Sequence, residues 1–99
     1  VAPSNFRGST AGMGLNANAA SIAHGTELFP MTDQYIRCGG NPFQNGDVLN
    51  VKYTAALGNV EFKVNGTTRG TLQSMRMQLP VRPVVIMWYA SDQVTFVQP

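Results

Sequence analysis

Ser21, His24, Asp33 and Cys38, all in the first half of the chain, are the set from which a nucleophile, a base and an orienting acid could be drawn. Such chemistry needs a Ser or Cys within hydrogen-bond reach of a His that a third group orients. The local sequence points elsewhere. His24 precedes Gly25 as a turn residue does, and Cys38 follows Ile36 at the period-2 spacing of a buried strand face, where a lone cysteine behaves as a small hydrophobe. The five carboxylates, Glu27, Asp33, Asp47, Glu61 and Asp92, include no close pair for general acid and base work and no calcium-loop spacing. One cysteine and one histidine make neither an internal disulfide nor a zinc module. We expect no enzyme, no metal and no cofactor.

Two loops have the composition of a phosphate cradle, Gly39-Gly40-Asn41-Pro42 and Asn45-Gly46-Asp47. A cradle of that kind opens onto a helix N-terminus, and here a strand follows, so both read as turns. The seven basic residues, Arg7, Arg37, Lys52, Lys63, Arg69, Arg76 and Arg82, stand singly in a chain of net charge +2. A nucleic-acid footprint needs a patch, so no nucleic-acid partner is expected. The longest apolar run, Val84–Ala90, falls far short of the roughly 20 residues that cross a bilayer as a helix, and no membrane partner is expected.

Ninety-nine residues with 43% hydrophobic and only 12% charged side chains supply one core and little material for a second. The chain opens on Val1 rather than methionine, which suggests a processed product or a piece of something longer. Ten glycines and six prolines cut it into short segments, and the pattern within them has period 2. Over Asp47–Ala55, Leu49, Val51 and Tyr53 alternate with Asn50, Lys52 and Thr54. Over Val60–Val64, Val60, Phe62 and Val64 alternate with Glu61 and Lys63. Leu57-Gly58-Asn59 turns between them. Asn65-Gly66 is the strongest hairpin signal in the chain, because both residues tolerate the positive φ of a type I′ turn, and Thr67–Leu72 can then return beside Val60–Val64. Asn65-Gly66-Thr67 also matches a glycosylation acceptor pattern, which its turn role already explains.

Further strands are expected at Ala20–Ala23, Glu27–Met31 and Gln34–Cys38, at Val84–Tyr89, and as a last short one around Val94-Thr95-Phe96. The alanines around Leu15–Ala23 leave a helix open as the alternative there. Short strands at regular spacing point to an all-β sandwich or barrel, and the expectation is a two-sheet antiparallel sandwich over residues 13–99, with residues 1–12 as an irregular N-terminal segment.

The stretch Phe43-Gln44-Asn45-Gly46-Asp47-Val48-Leu49-Asn50-Val51, followed by Gly58-Asn59-Val60-Glu61-Phe62-Lys63-Val64-Asn65-Gly66, resembles the central signature of SPRY (B30.2-like) domains. Pro83-Val84-Val85-Ile86 and Val94-Thr95-Phe96 follow in the family's order, so that the resemblance covers residues 43–97. It implies a concanavalin-like jelly roll of two bent sheets that binds a protein or peptide through loops at one rim. On that basis the expected contact loops are Thr32–Tyr35, Gly39–Asn45 and Gln73–Gln78, with Tyr35, Arg37, Phe43 and Arg76 as anchors. Aromatic and arginine side chains deliver the contact area that interfaces favour, although Tyr35 and Phe43 would serve equally well as core.

A second candidate surface comes from Val84–Tyr89. Six apolar residues in one strand cannot all face one core, so one of two stripes points outward: Val85, Met87 and Tyr89, or Val84, Ile86 and Trp88. A partner chain or a further part of a longer parent protein would cover it, with residues 1–12 of this chain as the alternative. The function expected is a non-catalytic protein-interaction module. The alternatives are a structural jelly-roll domain in a homo- or hetero-assembly such as a viral shell, and a carbohydrate-binding module.

Overall fold

The computed structural model describes residues 1–3, 19–32, 34–77, 79–85 and 93–95. Every regular element among them is a strand: β1 (Ala2–Pro3), β2 (Ala20–Ala23), β3 (Glu27–Pro30), β4 (Ile36–Arg37), β5 (Leu49–Thr54), β6 (Asn59–Val64), β7 (Thr67–Leu72) and β8 (Val81–Arg82). All pairings are antiparallel. They make three small sheets, ordered β1-β8, β2-β3-β4 and β5-β6-β7. The fold is all-β.

The meander β5-β6-β7 follows from alternation. Leu49, Val51 and Tyr53 stand opposite Val64, Phe62 and Val60, so one face of the β5-β6 pair is apolar and the other carries Asn50, Lys52, Glu61 and Lys63. Val60, Phe62 and Val64 are buried, and Glu61 and Lys63 between them are partly exposed. At the turn into β7 the φ angles are 53° at Asn65 and 83° at Gly66, the two positive values that a type I′ turn demands. Thr67 lies directly opposite Val64, so the hairpin loop has two residues.

Strict pairing from that turn would set Arg69 opposite Phe62 and Thr71 opposite Val60, and would turn Leu72 to the wet face. The register shifts instead between Phe62 and Lys63: Thr68 pairs with Lys63, Gly70 with Phe62 and Leu72 with Val60. Arg69 is the extra residue of this bulge, and its insertion is what carries Leu72 into the core, where it is 5% exposed.

Sheet β2-β3-β4 lies over the apolar face of the meander. Ala20 and Leu28 from the one form a single buried cluster with Val60, Phe62 and Leu72 from the other, and Ile22, Cys38, Val51 and Tyr53 pack around it. Leu28 of β3 meets Gly70 of β7. A Cβ at position 70 would stand 2.6 Å from Leu28 Cδ1, so a side chain there would force Leu28 to shift. Burying Val60 and Phe62 in full contributes about 1.5–3 kcal/mol each before entropy is counted.

The strand expected at Ala20–Ala23 is present, its residues pairing with β3 from Ala20 opposite Pro30 to Ala23 opposite Glu27, so the helix alternative does not hold over these residues. The described residues correct other expectations. Ala2 and Pro3, in a segment expected to be irregular, pair with Arg82 and Val81. Val84 and Val85 lie beyond the end of β8 outside any strand, and Gln93, Val94 and Thr95 have no strand pairing either. Asp33, Ile86, Met87, Trp88, Tyr89, Phe96 and residues 4–18 lie outside the described residues.

Candidate interaction surface

Around β4 the backbone sets the geometry first. The Cys38 N–H donates to Thr26 O at 3.0 Å, and Ile36 stands opposite Leu28 and Arg37 opposite Glu27. In an antiparallel ladder hydrogen-bonded pairs alternate, so Cys38 and Ile36 direct their N–H and C=O groups at β3, whereas Arg37 directs its own at the open edge. Side chains alternate in the same way. Arg37, with Tyr35 before it, shares a face with Glu27 and Phe29, and Ile36 points to the other.

Phe29 is buried, and its ring lies 5.8 Å from that of Tyr35 at a 55° tilt. The Arg37 guanidinium stands over the other ring, 5.6 Å from the Tyr35 centroid. The result is a stack rooted in the core through Phe29, with its outer members exposed: Tyr35 is 46% exposed and Ile36 beside it 56%. Cation–π contact of this kind holds an arginine in place without neutralising it.

Phe43 sits at the β2–β3 turn. Its N–H donates to His24 O at 2.8 Å, and its ring lies against Gly25. Arg69 fastens the arrangement: Nη1 donates to Gly25 O at 2.7 Å and to Asn41 O at 2.8 Å. The bulge that releases Arg69 from the ladder thus aims it at two loops from another sheet.

At the opposite end of the β6-β7 hairpin from Leu72, Asp47 and Asn65 hold each other. Asn65 Nδ2 donates to Asp47 Oδ1 at 2.9 Å, the Val48 N–H donates to Asn65 Oδ1 at 2.9 Å, and the Gln44 N–H donates to Asp47 Oδ2 at 2.9 Å. These bonds, the Asn65 amide first, hold the Asp47 carboxyl below its ordinary value, with the Arg69 charge adding to the effect.

Tyr35 and Arg37 are therefore brought together beside Phe29, and Phe43 sits at the β2–β3 turn of the same sheet. Arg76 lies elsewhere. Its stem lies against Gly58 in the β5–β6 turn, where the Met75 N–H donates to Gly58 O at 2.7 Å. Val85 is 45% exposed, while its neighbour Val84, like it outside any strand, packs against buried Ala2 and Ala19. Met87 and Tyr89 lie outside the described residues. A concavity of about 630 Å³ lies between the apolar face of β5, at Val51 and Tyr53, and the stretch Leu79–Pro83, with Val1 at its floor.

The residues weighed for catalysis are placed apart in role. His24 is exposed at the apex of the β2–β3 turn. The Cys38 Sγ lies 3.7 Å from the carbonyl oxygens of Gly25 and Gly39, both acceptors, and Ser21 Oγ is buried without a partner among the described residues. Among the described residues no three His, Cys, Asp or Glu side chains gather in a group that could hold a metal ion.

Sequence reasoning missed Arg69 and the Asp47–Asn65 pair. A signal for the first was present: Leu72 reaches the core only if one residue between Asn65 and Leu72 drops out of register. Compared with family models, curated proteins and solved structures, the chain matches none of them.

Proposed function

We propose that the chain is a protein-interaction module with no chemistry of its own, a small sandwich of the concanavalin-like, SPRY-like kind. Its partner is a protein or peptide, held at the surface around β4 and the 39–43 loop. The observation that carries this reading is the Phe29–Tyr35–Arg37 stack, in which a buried ring supports an exposed tyrosine and an exposed arginine 5.6 Å apart. Aromatic and arginine residues that are already immobilised lose little entropy on binding, which is why they dominate interface energetics. The core cluster drawn from both larger sheets supports the two-sheet architecture, and Phe43, fastened at the β2–β3 turn, extends the surface.

The test compares the immobilised domain with a Tyr35→Ser/Arg37→Ser double variant whose melting curve matches the parent's. Proteins retained by the parent and released by the variant support the reading. A retention profile that the double substitution leaves unchanged overturns this surface, and concentration-dependent assembly of the domain into a closed particle would replace the reading with a structural one.

A further inference from the structure

β4 is the edge of its sheet, two residues long, and no described strand pairs with its outer side. The phase of the ladder turns the Arg37 N–H and C=O to that side, where a further strand would find them. We propose that β4 takes up an extended, acidic segment of a partner chain as an added strand, with carboxylates on the Tyr35/Arg37 face and apolar side chains on the Ile36 face. This deepens the reading of the domain as an interaction module and rests on it.

Charge selects the occupant. Arg37 stands opposite Glu27 in the register, yet it lies over the Tyr35 ring, and among the described residues the ion pair is Lys63 with Glu61 at 3.7 Å. Its charge is oriented and not neutralised by a carboxylate among them. A strand laid beside β4 brings one side chain directly across from Arg37 and the next across from Ile36, at cross-strand spacings of about 5 Å. Glutamate or aspartate at the first position meets the guanidinium, and an aliphatic residue at the second covers an isoleucine that is 56% exposed. Antiparallel pairing of β4 with a second copy of itself in the register that sets Arg37 opposite Arg37 is disfavoured by like-charge repulsion, and the chain's net charge of +2 works against self-association in any register. Backbone pairing supplies affinity and the alternate side chains supply selectivity.

The probe is a fluorescein-labelled seven-residue peptide of alternating glutamate and valine, set against a lysine–valine counterpart and against the acidic peptide with alternate backbone nitrogens methylated. Fluorescence anisotropy at low salt should show the acidic peptide binding on the order of ten-fold tighter than the lysine one. N-methylation should weaken it by a similar factor, since it removes the donors that pair with β4. Arg37→Glu should reverse the order of the two unmethylated peptides, and Arg37→Gln should level it. Amide exchange at Arg37 should slow when the acidic peptide is added. The proposal fails if the acidic and lysine peptides bind alike, if neither binds, if the methylated peptide binds as well as its parent, or if Arg37 exchange is unmoved. Should the peptides fail while Tyr35→Ser/Arg37→Ser still releases a retained protein, strand addition is wrong and the interaction reading stands.

Discussion

Asn65 carries more of this structure than its exposed position suggests. Its backbone adopts φ 53°, its N–H donates to Val48 O at 2.8 Å, and its side chain accepts from the Val48 N–H and donates to Asp47. Two stretches far apart in the chain, Gly46-Asp47-Val48 and Val64-Asn65-Gly66, are thus bonded to each other. The acid side of the stability curve should register it. The folded pKa of Asp47 lies below its ordinary 3.8, so its contribution is present in full above that value and is lost as the pH falls through the folded one. Urea midpoints between pH 5 and pH 2 should therefore fall more steeply for the parent than for Asp47→Asn, which lacks the titrating group. Arg69 makes a second prediction at this scale. Arg69→Met leaves the Gly25 and Asn41 carbonyls without their charged donor and should cost about 1.5–3 kcal/mol in denaturant unfolding, with Arg69→Lys recovering part of the loss.

Among the elements, the β6-β7 hairpin is the one whose local demands are strictest. Its turn needs positive φ at both central residues, and a β-branched side chain at the second forces that conformation at a cost of about 1–3 kcal/mol. Gly66→Val should lower the urea midpoint accordingly. A Cβ at position 66 meets nothing within 4 Å, so loss of stability reports backbone strain alone, and an unchanged midpoint would refute the turn geometry. The bulge in the same hairpin is a different kind of constraint. It is imposed by what β7 must place on the meander's inner face: Gly70, which lets Leu28 approach, and Leu72, which fills the cluster.

At the scale of the whole molecule, the first residue ties two sheets together. The Val1 amino group donates to Ala20 O at 2.6 Å and the Ala20 N–H returns a bond to Val1 O at 2.9 Å, which joins the end of β1 to β2. Burial there lowers the amino pKa from 8.0 to about 6. The folded chain thus favours the neutral amine, and between those values the unfolded chain binds more protons. Stability is therefore full above pH 8, falls as the pH drops through that window, and settles at a level about 1–3 kcal/mol lower below pH 6. Denaturant midpoints taken at pH 5.5 and pH 8.5 should show the difference for this 99-residue chain, and acetylation of Val1 should abolish it.

Neighbours along the chain determine the local elements. Alternation over Leu49–Thr54 and Asn59–Val64, the strand at Ala20–Ala23, the return over Thr67–Leu72 and the Asn65-Gly66 turn follow from the pattern of residue types within each segment, from the turn signals that bound it and from φ values that few residues tolerate. Tyr35 and Arg37 are two positions apart, so their shared face was legible as well. Tertiary structure decided the rest, because it depends on partners far away in sequence. Arg69 finds Gly25 across 44 residues and Asn65 finds Asp47 across 18. The same reach brings Phe43 to His24 and leaves Arg76 on Gly58, away from the surface it was expected to share. Pattern within a strand specifies which face is wet. Which loops that strand's spare residue will fasten is settled only when the sheets pack and buried carbonyls must find donors.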